Sequence, residues 1–323
     1  MKKLFYLFLI FLWNACSSPT VESVEVNAND KTLPISEGEK NPYLVVLGIA
    51  QDAGFPQADC KKDCCKAVWK DLSKRKMVSC IGLVNPESEQ GYIFDATPDF
   101  KDQLNVLQQD YSVNLNGIFL THAHIGHYTG LMHLGREAMG AKEVPVYAMP
   151  RMKSYLETNG PWSQLVGLKN IVLQAIQNNN AVSLQNEISV TPLLVPHRDE
   201  FSETVGYLIQ GKNKSAVFIP DIDKWSKWET NIEQLIKSVD IAILDGSFYE
   251  NGEIPGRDMS LIPHPFIEES MKRFEPLSKE DKAKIYFIHF NHTNPVLQEA
   301  SNARKEVLDK GFRIADEGMT FEL

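Results

Sequence analysis

The chain has 323 residues, 43% of them hydrophobic and 23% charged, a globular composition long enough for a full hydrophobic core. Its formal net charge is -9 at pH 7, with 33 lysines and arginines against 42 aspartates and glutamates. Nucleic acid and an anionic membrane surface are therefore not expected as main partners, because both reward a basic face.

At the N-terminus, Lys2 and Lys3 precede the apolar run LFYLFLIFLW, which is followed by Asn14, Ala15 and Cys16. This is the order of an export leader: a positive start, an apolar stretch, then a small residue before the cleavage point. The run is too short to span a bilayer, which takes ~20 apolar residues. A cysteine directly after the cleavage point resembles a bacterial lipoprotein signal, in which Cys16 is lipidated and becomes the new N-terminus. A plain cleaved leader with an incidental cysteine is the other reading. Residues 1–16 are thus expected to be a signal peptide, and 17–42, which are polar, acidic and proline-containing, a flexible tether. Residues 43–323 are expected to form the folded domain. On this reading the protein is exported, periplasmic or at the cell surface, and touches the membrane only through its lipid.

From Tyr43 onward, short runs rich in β-branched and aromatic residues alternate with longer amphipathic ones. YLVVLGIA, CIGLV, GYIFDA, NGIFLT, VPVYAM, NIVLQAI, ISVTPLLV, TVGYLI, SAVFIP, VDIAILD and KIYFIHF predict eleven strands. Helices are predicted over 99–111, 127–140, 151–160, 223–239, 263–274 and 294–311, the last stopped by Lys310 and Gly311. No repeat of 20 to 50 residues and no internal linker is visible, so one layered α/β domain is expected.

The stretch THAHIGHYTG places His122, His124 and His127 where the predicted strand NGIFLT leaves the sheet. The two-residue repeat of a strand points His122 and His124 to one side, and a turn there lets His127 approach from a helix start. Three converging imidazoles pack poorly but coordinate well, since neutral imidazole is the commonest protein ligand of zinc and its neighbours. A metal site is expected here.

The same stretch resembles the signature T-H-x-H-x-D-H-x-x-G-L of the metallo-β-lactamase superfamily. Strands ending at His197 (TPLLVPHRDE), Asp221 (SAVFIPDIDKW) and His289 (IYFIHFNHTNP) follow in the order of that family's remaining elements. The resemblance implies a four-layer αββα sandwich. It implies a first metal on His122, His124 and His197, a second on His127 and His289, and the Asp221 carboxylate between them. The cofactor implied is zinc, one or two ions, with manganese or iron as alternatives, and a metal-bound hydroxide as nucleophile. Asp221 and His127 stand as the catalytic residues. The departure is Gly126, where the family carries an aspartate. Asp52, Asp95 and Asp245 are candidates to replace that carboxylate, although each also reads as a loop or strand cap.

Cys60, Cys64 and Cys65 cluster in GFPQADCKKDCC, and His292 follows His289 by three residues. Two branches of the superfamily resemble this layout, the phosphodiesterase of the carbon-phosphorus lyase pathway and the pyrroloquinoline-quinone biosynthesis protein B. By analogy with the first, Cys60, Cys64, Cys65 and His292 would hold a further, structural zinc. Disulfides among Cys60, Cys64, Cys65 and Cys80 remain the alternative for an exported chain. Arg198, Asp199 and Glu203 flank His197 as possible hydrogen-bond partners or as solvated charges. His133 is expected to pack, and His264 to cap a helix or lie at the surface, with lining of a substrate pocket as the other reading.

Three functional classes follow. A metal-dependent hydrolase of a small ester or phosphodiester leads. An iron-dependent oxidase or hydroxylase, as in the quinone-biosynthesis branch, is the second. A lipoprotein that binds a small ligand without turning it over is the third, with Gly126 as its main support.

Overall fold

The computed structural model describes residues 41–323, and the expected signal peptide, Cys16 and nearly all of the tether lie outside the described residues. Six strands come first: β1 (Tyr43–Gly48), β2 (Cys80–Asn85), β3 (Gln90–Phe94), β4 (Asn114–Phe119), β5 (Val144–Ala148) and β6 (Ile171–Ala175). Eight more follow: β7 (Val182–Ser183), β8 (Ser189–Leu194), β9 (Val205–Gln210), β10 (Ser215–Ile219), β11 (Ile241–Asp245), β12 (Ile285–Ile288), β13 (Arg313–Ile314) and β14 (Thr320–Glu322). They form two seven-stranded sheets, ordered β14-β1-β2-β3-β4-β5-β6 and β13-β12-β11-β10-β9-β8-β7. The final strand thus returns to the first sheet, pairing antiparallel with β1.

The period of two in β1 shows how the layers are made. Leu44 and Val46 face the second sheet, while Tyr43, Val45 and Leu47 face a layer of helices. Between the sheets, Phe94 and Phe119 of the first meet Tyr207 of the second at ring-centroid distances of 5.3 and 5.6 Å. Helices α1 (Asp63–Lys70), α2 (Phe100–Gln109), α3 (Ile125–Tyr128), α4 (Pro150–Thr158) and α5 (Trp162–Gly167) belong to the first half. Helices α6 (Ile232–Ser238), α7 (Ile267–Arg273), α8 (Lys279–Ala283) and α9 (Asn302–Asp309) belong to the second. Leu104, Met152 and Leu165 of α2, α4 and α5 cover the outer face of the first sheet, and Ile236, Met271 and Val307 of α6, α7 and α9 pack with the residues of the second. The result is an αββα sandwich.

All eleven expected strands are present, but the long helix expected over 127–140 is not. Only Ile125–Tyr128 is α-helical, followed by a tighter 3₁₀ stretch, Thr129–Leu134. The carbonyl of His127 accepts from Ala96 N–H and the N–H of Gly130 donates to Ala96, so these groups leave the helical ladder to bind the loop after β3. The expected helices over 223–239 and 294–311 begin late, at Ile232 and Asn302, where the Asn231 and Ser301 side chains supply N-caps.

Within their sheets, β3 and β4 run parallel, as do β10, β11 and β12, while β8 shares their direction through the antiparallel β9. The C-terminal ends of all six therefore open toward common edges, and every histidine discussed below follows one of them or its neighbouring loop.

Candidate metal centre

His122 and His124 leave β4 and His127 sits in α3, while His197 follows β8, Asp221 follows β10 and His289 follows β12. The structure brings all six together. His122 Nε2 lies 2.8 Å from His124 Nδ1, which lies 3.3 Å from His197 Nε2. Asp221 closes the group, its Oδ2 3.3 Å from His122 Nε2 and its Oδ1 3.3 Å from His197 Nε2. A tetrahedral zinc with bonds of about 2.0 to 2.1 Å to nitrogen sets its ligand atoms roughly 3.3 Å apart, so this spacing fits one ion. Burial pushes His197 down to about 4 and holds His122 well below the ordinary imidazole range, so both are neutral, the form that ligates.

A second group shares Asp221. His127 Nε2 lies 3.7 Å from Asp221 Oδ2 and 3.3 Å from Asp52 Oδ1, and His289 Nε2 lies 3.6 Å from the same Asp52 oxygen. The His127 and His289 Nε2 atoms are buried with no hydrogen bond, as is Asp52 Oδ1. Buried polar atoms without partners cost free energy, so three of them aimed at one another fit a cation. Burial opposes a charged His127, yet the carboxylates of Asp95 and Asp52 outweigh it and hold its pKa well above the ordinary value. The electrostatics of this point thus demand positive charge.

The other ring nitrogens are oriented from behind. His127 Nδ1 meets Asp95 Oδ2, whose carboxylate also accepts from Thr121 N–H and Oγ–H, and Thr121 Oγ1 lies 2.9 Å from His122 Nδ1. His289 Nδ1 lies 2.7 Å from Ser247 Oγ, which donates to Asp245. His124 Nε2 lies 3.0 Å from Glu200. Such contacts fix tautomer and ring orientation in metal sites. Asp95 and His289 hold this arrangement with φ of 72° and 68°, left-handed conformations that cost a non-glycine residue about 1 to 3 kcal/mol.

Several expectations are corrected. Asp95 and Asp245 orient histidines rather than replace the carboxylate missing at Gly126, while Asp52 sets one oxygen against the Nε2 atoms of both His127 and His289. The residues flanking His197 do not support it: Asp199 accepts from Thr204, and Glu203 accepts from the Arg151 and Met152 N–H groups at the start of α4. Glu200, next to Asp199, instead reaches a different histidine, His124. His264 is not a surface or capping residue. It is 4% exposed, with Nδ1 2.8 Å from Asp245 Oδ2 and 3.2 Å from Asp221 Oδ1. Its isolated position in the sequence carried no motif signal. His133 packs, stacked on Phe100 at 6.3 Å.

The cysteines form a separate cluster. Cys60, Cys64 and Cys65 are free thiols, with Sγ–Sγ distances of 3.9 and 4.0 Å along the series, and they group with His292. Four tetrahedral ligands at about 2.3 Å place sulfurs ~3.8 Å apart, so the spacing fits zinc rather than a disulfide, whose S–S bond is about 2.05 Å. His292 Nδ1 is buried without a hydrogen bond, as a ligand nitrogen would be. Cys80 stands apart, fully buried, donating to the Ile81 and Asp95 carbonyls, so the disulfide alternative that needed it has no partner here.

The family model of the beta-lactamase superfamily domain matches residues 91–290, which include His122, His124, His127, His197, Asp221 and His289 but not Asp52. The chain belongs to the beta-lactamase superfamily. Among curated members it is similar to coenzyme PQQ synthesis protein B of Methylorubrum extorquens, 24% identical over 306 residues that cover 87% of this chain and all of that protein. It is 27% identical over 311 residues to the same protein of Methylobacillus flagellatus, covering 86% and 98% of the two chains. The zinc-bound crystal structure of PqqB from Methylobacterium extorquens superposes with a TM-score of 0.73 at 24% identity, covering 87% of this chain and all of that one. A diphosphatase from the PhnP family superposes with a TM-score of 0.62 at 22% identity over 88% and 97% of the chains. At these identities the structural likeness establishes the metallo-β-lactamase fold. No helix among the described residues is long and apolar enough to cross a membrane.

Proposed function

We propose that this superfamily member is a metal-dependent hydrolase of a small ester or phosphodiester. The observation that carries the proposal is Asp221, a buried carboxylate whose two oxygens reach His122, His197 and His127 at once. His122, His124 and His197 with Asp221 would hold one divalent ion, and His127 and His289 with Asp221 the other. Two such ions would supply Lewis acidity and would lower the pKa of a bound water. Burial would raise the Asp221 carboxyl, but the surrounding imidazoles, His197 and His264 foremost, hold it well below the usual range, so it stands ionised and could serve both groups of histidines. Thr121, Asp95, Ser247 and Glu200 hold the rings in place, and His264 faces the bridging carboxylate from the side of Asp245. Zinc is the metal proposed for both ions, and a further zinc for Cys60, Cys64, Cys65 and His292. The fold's diphosphatase neighbour supports the hydrolase class without choosing the substrate.

The test is a panel of chromogenic phosphodiesters and esters with protein loaded with Zn²⁺ or Mn²⁺, alongside His289→Ala. Turnover that is abolished by a chelator and by the substitution is expected. Metal-replete protein that is inert across the panel would overturn the hydrolase reading. A second reading, an iron-dependent oxidase or hydroxylase, is favoured by similarity to PQQ synthesis protein B over most of both chains. Bound iron together with substrate-dependent oxygen consumption would put it first.

A further inference from the structure

We propose that Asp52 is a ligand of the second metal position, supplied from the turn after β1, and that residue 126 is glycine because any side chain there would occupy the place of Asp52. The proposal rests on the two-ion reading above and adds the ligand that completes it.

Three observations carry it. The first is contact. Asp52 Oδ1 lies 3.3 Å from His127 Nε2 and 3.6 Å from His289 Nε2, and none of these three buried atoms has a hydrogen bond. Together with Asp221 they form one group of converging ligand atoms. The second is steric. A Cβ at position 126 would stand 2.4 Å from Asp52 Cα and 2.6 Å from Asp52 Oδ1, a collision with backbone that no rotamer change relieves. Gly126 lies within α3, so its backbone conformation makes no demand for glycine and close approach is the reason for it.

The third observation is how firmly the turn is placed. Gly54 N–H donates to Gln51 C=O, closing a turn in which Asp52 occupies the second position and Gly54 takes a φ of 73°. Gln51 N–H donates to Phe290 C=O, and Phe290 N–H donates to Ile49 C=O, so the chain on either side of Ala50 is stitched to the residue after His289. Phe55 and Lys76 exchange both backbone hydrogen bonds on the far side of the turn. The carboxylate is therefore presented by a pinned turn, which meets the requirement that a ligand be held before the ion arrives.

The exchange can be tested with the full chain. Zinc per chain, the affinity of each ion by chelator competition, and Tm are measured for wild type, Asp52→Asn, Gly126→Asp and the double variant Asp52→Gly with Gly126→Asp. Asp52→Asn is expected to weaken one ion by roughly 10- to 100-fold or more while leaving the other unchanged. Gly126→Asp alone is expected to lower Tm through the collision. In the double variant the Asp52 side chain is gone but its Cα still stands 2.4 Å from the new Cβ, so Tm is expected to stay low, as in Gly126→Asp.

Asp52→Asn protein that keeps both ions within twofold of wild-type affinity would overturn the ligand assignment, and Gly126→Asp protein with the wild-type Tm would overturn the steric one. If Gly126→Asp does not fold, Asp52→Asn decides by itself. Failure of the underlying reading is seen separately, in the wild type: protein that binds no second ion in the histidine centre overturns both proposals before any variant is compared.

Discussion

His127 Nδ1 lies 2.7 Å from Asp95 Oδ2, with both side chains fully buried, and the other Asp95 oxygen holds Thr121, the residue that opens the histidine loop. One carboxylate just after β3 thus aims a histidine that belongs to α3. Asp95→Asn keeps the shape of the side chain and removes its charge. The expected outcome is a 10- to 100-fold loss of affinity for the ion at His127, read by chelator competition. Unchanged affinity would reduce Asp95 to a strand cap.

The cysteine cluster makes a separate prediction, because the small apolar group around Ala50, Phe55, Cys65 and Val68 surrounds it. Cys65→Ser is expected to lose one zinc per chain and to lower Tm, by about 2 to 4 °C for each kcal/mol lost in a domain of this size. Thiol titration should find Cys60, Cys64 and Cys65 reactive only after chelation. Thiols that react freely in metal-replete protein would contradict a zinc site there.

Glu317 sets a pH dependence away from the metal centre. Burial pushes its carboxyl up to about 7, although Lys76 and the Met77 N–H favour the ionised form. The ordinary value is about 4.3, so the folded state binds this proton more tightly than the unfolded chain does. Its contribution is therefore complete below about pH 4 and is lost as pH rises through 7. Glu317→Gln retains an acceptor for Met77 and does not titrate. The Tm of wild type should fall relative to that of the variant between pH 5 and pH 8, and a difference that is constant with pH would contradict this origin.

The N-terminal reading is testable without the fold. With Cys16 lipidated, the protein should sediment with membranes and enter the detergent phase of a detergent extraction. Cys16→Ala should move it to the soluble fraction. Membrane association that survives the substitution would leave Cys16 without that role.

His122, His124 and His127 were legible as a metal cluster because they are neighbours in sequence, where strand geometry and a turn leave little choice of direction. His197, Asp221 and His289 were legible only as strand ends in a familiar order. The eleven longer strands were visible as short runs rich in β-branched and aromatic residues. The two-residue β7 and β13 and the three-residue β14 carry no such pattern and form because an edge of a sheet is waiting for them.

Sequence by itself determined the composition of the site, since imidazoles spaced for coordination and strands long enough to bury both faces are local properties. Tertiary structure decided which carboxylates serve it. Asp52 comes from a turn 70 or more positions before the histidines it faces, Glu200 rather than its flanking neighbours reaches His124, and His264 turns inward to Asp221 and Asp245. These contacts join loops that have no periodicity, so only the packing of the two sheets brings them within reach. Gly126 shows the division in one residue: the sequence marks an absent carboxylate, and only the fold shows Asp52 lying against that position.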